Sequence, residues 1–159
     1  MAVTVEYSTQ YSNELAGVMN SAVETSKVRV KHFSFTQGDD AGDIGSSAEL
    51  VKLPAGRVTV YPKLSVLTNS AFGAARVLDV GFKAYTSETG ASVSASTNYF
   101  DNDIDVSAGA SAALGTDISD ASKTKAFASQ SGVVLVAVVA GGTIPASATL
   151  NGYIVYSVE

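Results

Sequence analysis

The chain contains no cysteine and no tryptophan, a single histidine and only three prolines in 159 residues. Without cysteine there are no disulfides, thiolate metal sites or cysteine nucleophiles, and folding in a reducing cytosol is open to the chain. One histidine and no cysteine also remove metal centres built on those two ligands. His32 lies between Lys31 and Phe33 in a β-forming run, with no nucleophile or carboxylate marked as its partner, so a structural role is expected for it. The sequence contains no G-x-S-x-G, G-x-x-x-x-G-K-[ST], G-x-G-x-x-G or H-E-x-x-H. The lack of tryptophan removes the usual platform of a polysaccharide-cleaving cleft. Fifteen acidic residues allow a carboxylate pair by count alone, with nothing more specific behind it. No catalytic residue, metal ligand or cofactor is therefore assigned, and the chain is not expected to be an enzyme.

Long hydrophobic runs are missing as well. The longest, Val133 to Ala140, is followed by Gly141-Gly142 and is far too short to cross the ~30 Å hydrocarbon core of a bilayer. Met1 to Gln10 is polar and lacks the basic start and apolar centre of a secretion signal. No membrane partner is expected. The net charge of −5 argues against nucleic acid as a partner.

Charged residues make up 16% of the chain, and Ala, Ser, Thr, Val and Gly fill the space they leave. A surface of small and β-branched residues suits a protein packed against neighbours. Eight of the ten Lys and Arg residues fall between Lys27 and Lys83, whereas Glu88 to Asp120 holds six acids and no base. This asymmetry reads either as ordinary solvated surface or as two regions of opposite sign that dock on different neighbours or on each other.

Residues 1–26 are polar and lack period-2 alternation. Tyr11, Leu15, Val18 and Met19 would share one face of a short helix capped by Ser8 or Thr9; an extended arm that orders against a partner is the other reading. From residue 27 onward the pattern is β. In Val28 to Thr36 the apolar residues Val28 and Val30 alternate with Arg29 and Lys31, and past His32 the apolar phase moves to Phe33 and Phe35, which suggests a bulge or a strand buried on both sides. Strands are then predicted at Ala48–Leu53, Arg57–Tyr61, Lys63–Thr68, Arg76–Tyr85, Asn98–Val106, Lys125–Ser129, Val133–Val139 and Leu150–Val158, separated by turn residues rather than by helices. Thr86–Thr97 and Ser107–Ser122 read as long surface loops. The whole predicts one all-β domain over 27–159, an antiparallel, jelly-roll-like β-sandwich of about eight strands preceded by an N-terminal arm or short helix.

Asp101-Asn-Asp-Ile-Asp105 would put three carboxylates on one face of a strand. Its match to an EF-hand loop fails at Val106, where glycine is required, and at Ala112, where glutamate is required. A cation site of another kind, a solvated acidic strand and a patch for a basic partner all remain readings of it.

From Asp43 onward the order of motifs carries a likeness. Leu50-Val-Lys-Leu-Pro-Ala-Gly56 leads into Arg57-Val58 and a strand; Asp79-Val-Gly81, Asp103-Ile-Asp-Val-Ser107, a Gly/Ala-rich link, an apolar strand, Ile144-Pro145-Ala146-Ser147 and a terminal strand follow. This succession resembles the head decoration, or auxiliary capsid (cement), proteins of tailed bacteriophages. It departs from that pattern at Tyr61-Pro62, where a proline interrupts the strand and implies an edge, a bend or a change of sheet. The resemblance implies a non-enzymatic virion structural protein with a jelly-roll-like domain, made in the host cytoplasm and placed on the capsid surface. Its implied partners are the major capsid protein and further copies of itself, a trimer among the options. The capsid or partner contacts are expected in the N-terminal arm, at Tyr7, Tyr11 and Leu15, and on the basic strand, at Lys27, Arg29 and Lys31. The alternative is a tail or fibre component, or a host-glycan-binding module using the two loops.

Overall fold

The computed structural model describes residues 5–7, 28–115 and 124–159. They form two sheets that pack face to face. The first has the order β1 (Val5–Tyr7), β3 (Ser47–Leu53), β12 (Val133–Ala140), β6 (Val77–Phe82) and β9 (Ser96–Asp105). All of its pairings are antiparallel except that of β1, which runs parallel to β3 with Tyr7 opposite Glu49.

The second sheet is built on β13 (Thr149–Val158), which has β2 (Val28–Thr36) on one side and both β4 (Gly56–Val60) and β5 (Val66–Asn69) on the other. β11 (Lys125–Ser129) continues from β4, and β10 (Ala110–Ala113) from β5. A two-stranded hairpin, β7 (Tyr85–Thr86) and β8 (Ser92–Val93), forms a ladder of its own and is joined to the end of β11 by the Ser87–Ser129 bridge. This is the antiparallel, jelly-roll-like sandwich that the strand spacing predicts. Val28–Thr36 and Lys125–Ser129 are strands over the predicted residues, and the other predicted strands are found with shifted ends.

Apolar side chains at alternate positions face inward from both sheets. Phe35, Leu50, Leu78, Phe100, Phe127, Leu135, Leu150 and Ile154 are all essentially removed from solvent. One end of the core is aromatic: the rings of Phe82, Phe100 and Phe127 meet edge-on, and Lys125 lays its ammonium 4.5 Å from the centre of the Tyr99 ring. Edge-to-face rings and a cation over a π face are both favourable arrangements.

The Leu53-Pro54-Ala55-Gly56 turn takes the chain from β3 in the first sheet to β4 in the second. It is a corner of the sandwich, and Gly56, at φ +95°, supplies the left-handed residue that closes it. Pro62 starts a single 3-10 turn, Pro62–Leu64, and this turn splits one long strand into β4 and β5. Both halves stay on β13, but the register moves by three residues, from Tyr156↔Val60 to Tyr153↔Val66. Ser65 bridges the gap: its Oγ accepts the Val155 N–H at 2.9 Å and donates to the Tyr61 carbonyl at 2.9 Å. The Tyr61-Pro62 interruption is thus a bend within one strand line, one of the outcomes that proline implied.

Three expectations are corrected. β2 has no bulge: its pairing with β13 runs in unbroken register from Thr149↔Thr36 to Ser157↔Val28. The inward phase set by Phe33 and Phe35 continues through Lys31 and Arg29, while Val28 and Val30 face out at 54% and 49% exposure. The predicted loops also contain strands. The stretch 86–97 holds most of the β7–β8 hairpin, and 107–122 contributes β10, where Ser111 pairs with Thr68 of β5. Ser, Thr, Ala and Gly dominate both stretches, which leaves no apolar alternation from which the strands could be read. Finally, the predicted strand Lys63–Thr68 begins only at Val66, the preceding residues forming the 3-10 turn.

Candidate assembly surfaces

The three acids of Asp101-Asn-Asp-Ile-Asp105 do not share a face. The β6–β9 register slips between Leu78 and Val80, and Asp103 takes φ +57°, which breaks the alternation. Asp101 is buried at 1% exposure and its Oδ2 accepts the Gly115 N–H at 2.6 Å. Asp103 and Asp105 face solvent, and the Asp103 N–H donates to Asp79 Oδ1. The side chain and backbone N–H of Ser107 hold the Asp105 carboxyl below the ordinary aspartate range. Among the described residues there is no cluster of three His, Asp or Glu side chains able to hold a metal ion.

His32 is on the outer face of β2, and its ring lies 5.7 Å from that of Tyr153 across the strand pair. The two rings meet at a tilt on the exposed side of the sheet. Tyr156, three residues on, points the other way into the core.

The outer face of the β2–β13–β4/β5 sheet follows from register. Val30 pairs with Val155, His32 with Tyr153 and Ser34 with Asn151; Asn151 and Tyr153 pair in turn with Thr68 and Val66, and these with Ser111 and Ala113. On the β4 side Thr59 lies opposite Ala126, and Arg57 opposite Ala128. Short hydrogen bonds tie this face together: Ser34 Oγ donates to Asn151 Oδ1 at 2.7 Å and Thr68 Oγ1 to Ser111 Oγ at 2.8 Å. Among the described residues of these strands, the charged side chain on this face is Arg57 at one corner, 3.2 Å from Glu88. A sheet face with almost no charge is unusual on a lone soluble domain, which normally intersperses Lys, Arg, Asp and Glu.

Cations gather elsewhere. Arg29 and Lys31, half-buried on the inward side of β2, turn into a cleft of about 300 Å³ beside the Leu53-Pro54-Ala55 corner. Lys52 and Tyr156 also line it. The structure thus brings together two of the six residues expected to make contacts, Arg29 and Lys31. Tyr7 lies in β1, at the edge of the first sheet. Tyr11, Leu15 and Lys27 lie outside the described residues, as does the question of a helix capped at Ser8 or Thr9. The uncharged face itself escaped notice in the sequence. Its signal was the pairing of small and β-branched residues over four strands, and that pairing needs the register to become visible.

No protein-family model matches the chain, and no curated protein matches its sequence. Solved structures do share its fold. A chain in the capsid of Ralstonia phage GP4 superposes with a TM-score of 0.70 at 20% identity, covering 98% of this chain and 99% of that one. A chain of the cyanophage Pam1 capsid asymmetric unit superposes with a TM-score of 0.52 at 16% identity, covering 91% of this chain and 96% of that one.

Proposed function

We propose that the protein is a non-enzymatic virion structural component that binds the major capsid protein, decorates the outer surface of a phage head and stabilises it. The observation that carries this reading is the outer face of the β2–β13–β4/β5 sheet, where the charged side chain among the described strand residues is Arg57 at one corner. Burying such a face removes Val30 and Tyr153 from water without stranding a charge, which is what an assembly contact needs. The end-to-end match in fold with a chain from the capsid of Ralstonia phage GP4 supports the same reading. The mechanism is mass action: a protein that binds the assembled shell and not its separated subunits shifts the equilibrium toward the shell. Each site stabilises by about 2.7 kcal/mol when free protein is 100-fold above its dissociation constant. The segment 1–26, with Tyr7, Tyr11 and Leu15, and the adjoining Lys27 contribute further contact to the capsid.

Imaging of intact virions tests this directly. A regular lattice of density over the head is expected, and density confined to the tail would refute it. A charge on the proposed face gives a second test. Val30 is 49% exposed, so Val30→Glu is expected to weaken binding to empty heads sharply while leaving the fold's thermal midpoint nearly unchanged. Retained binding would remove that face from the contact.

A further inference from the structure

His32, the single histidine of the chain, lies midway along β2 on the outer face of its sheet. Register sets it opposite Tyr153, between the Val30–Val155 and Ser34–Asn151 pairs, and Tyr153 is paired in turn with Val66 of β5. The side chain is exposed, and its ring lies 5.7 Å from that of Tyr153 at an interplanar angle of 59°. The neighbours that share this face with it are Val, Ser, Asn, Thr and Tyr, none of which changes charge near neutral pH.

The charged groups around it are elsewhere. Arg29 and Lys31, on the same strand, turn to its inward side. Arg57 stands at the far corner of the sheet and pairs with Glu88, and Asp39 and Asp40 lie in the turn beyond the end of β2. On the β4 side the titratable group is Tyr61, whose hydroxyl bonds to Ser157 Oγ at 3.1 Å. Histidine is the side chain that ordinarily gains its charge between pH 5 and 8, so this part of the face is uncharged only while the imidazole is neutral. A neutral imidazole tolerates being covered, whereas an imidazolium loses water that only a carboxylate would replace. The Tyr153 ring attracts an imidazolium, but it does so with the face open or covered and so does not offset that loss.

We propose that His32 makes the contact of this face pH-sensitive: the neutral side chain is buried against the capsid, and its protonation loosens the protein from the head. The proposal rests on the reading of the outer face as the capsid contact and adds the regulation of that contact. Its sign follows from linkage. The bound state excludes the charged form, so affinity is full above the ordinary histidine range and falls as pH drops through it, with one proton taken up per molecule released. An ordinary histidine kept neutral in the complex weakens binding about tenfold between about pH 7.5 and 5.5.

The test is titration of the full chain onto empty heads across that pH window, with His32→Gln run on the same heads. Glutamine is polar, close in size and cannot take up the proton. Wild type is expected to lose about tenfold in affinity from about pH 7.5 to 5.5, while His32→Gln binds like wild type at the upper pH and changes by less than about twofold. Melting curves at each pH check that both proteins stay folded, which the exposure of His32 leads one to expect. A flat wild-type profile overturns the proposal, and so does an equal loss in both proteins, which would assign the titration to another group or to the capsid. Folded wild type that fails to bind heads at any pH removes the capsid contact itself, and the role of His32 with it; binding without the pH dependence removes the role of His32 alone.

Discussion

Replacing Gly152 by alanine tests whether β13 is the spine of the sandwich. Gly→Ala ordinarily stabilises a folded chain by about 0.4–1 kcal/mol, because alanine has fewer unfolded conformations to lose. At Gly152 the sign should reverse. This residue has φ +157°, and a Cβ built there would lie 2.0 Å from the Val66 carbonyl oxygen and 2.8 Å from Phe33 Cζ. The first obstacle is backbone in β5 and cannot rotate away; the second is a ring packed in the core at 2% exposure. Gly152 is paired on both flanks, with Phe33 and with Leu67, so relief means separating β13 from a neighbour. Backbone strain of about 1–3 kcal/mol and overpacking of similar size together give a loss of roughly 2–6 kcal/mol. For a domain of this size the thermal midpoint should then fall by roughly 5–20 °C. Gly38→Ala is the matched control, since a Cβ there meets nothing within 4 Å, and it should hold the midpoint or raise it by a few degrees. Calorimetry of the two variants decides. A Gly152→Ala midpoint equal to that of Gly38→Ala would refute the reasoning and the pairing of β13 with β5 on which it rests.

Other perturbations probe separate parts of the argument. Ser65→Ala should cost about 1–3 kcal/mol, because the Val155 N–H loses its acceptor in a site with no solvent access; the Tyr61 carbonyl keeps the Leu64 N–H. Hydrogen exchange at Val155 should quicken selectively, and unchanged protection there would contradict the bridging role of Ser65. Lys83→Met should destabilise more than the double variant with Glu49→Leu, because Lys83 pairs with Glu49 and the single change strands a carboxylate that is 4% exposed. Equal melting losses for the single and the double variant would show that the pair is not coupled. Ser107→Ala should raise the Asp105 pKa toward the ordinary value, since Ser107 supplies the bonds that depress it. A depressed carboxyl stabilises the fold at pH above its unfolded pKa, and that contribution is lost as pH falls through the folded value. Wild type should therefore lose slightly more stability than Ser107→Ala below pH ~4, and an unshifted Asp105 carbon resonance titration in the variant would refute the assignment.

The sandwich was legible because its strands are apolar, β-branched and set apart by Gly, Pro, Asn and Asp, a pattern that local chemistry imposes whatever the partner strand. The corner at Leu53-Pro54-Ala55-Gly56 was legible for the same reason. What could not be read was anything set by pairing. β10 is Ala-Ser-Ala-Ala, exposed at every position, and is a strand only because β5 offers it a ladder. The D-x-D-x-D stretch had a clear period, but a single residue at positive φ cancelled it. The sheet face is assembled from β2, β13, β5 and β10, which together span more than a hundred residues of sequence.

The phase of β2 links these points to function. Read alone, Val28 and Val30 should be core and Arg29 and Lys31 surface, and the move to Phe33 and Phe35 then needs a bulge. The unbroken register with β13 requires the opposite. The strand keeps one inward side throughout, and that side changes from phenylalanine to cation where the sandwich opens at its end. Valine on the outside and arginine on the inside would be a poor arrangement for an isolated domain, since apolar side chains meet water while charges lose part of theirs. Covering the valines with a neighbour would remove that cost on the outer side of the strand. The inverted phase of β2 fits the assembly contact proposed for its outer face. It also predicts which repair would separate fold from function: exchanging Val30 for threonine and Lys31 for leucine should raise the melting temperature of the free domain while weakening its associations. A variant that gained stability and still assembled as wild type would show that the inverted pattern does not serve that contact.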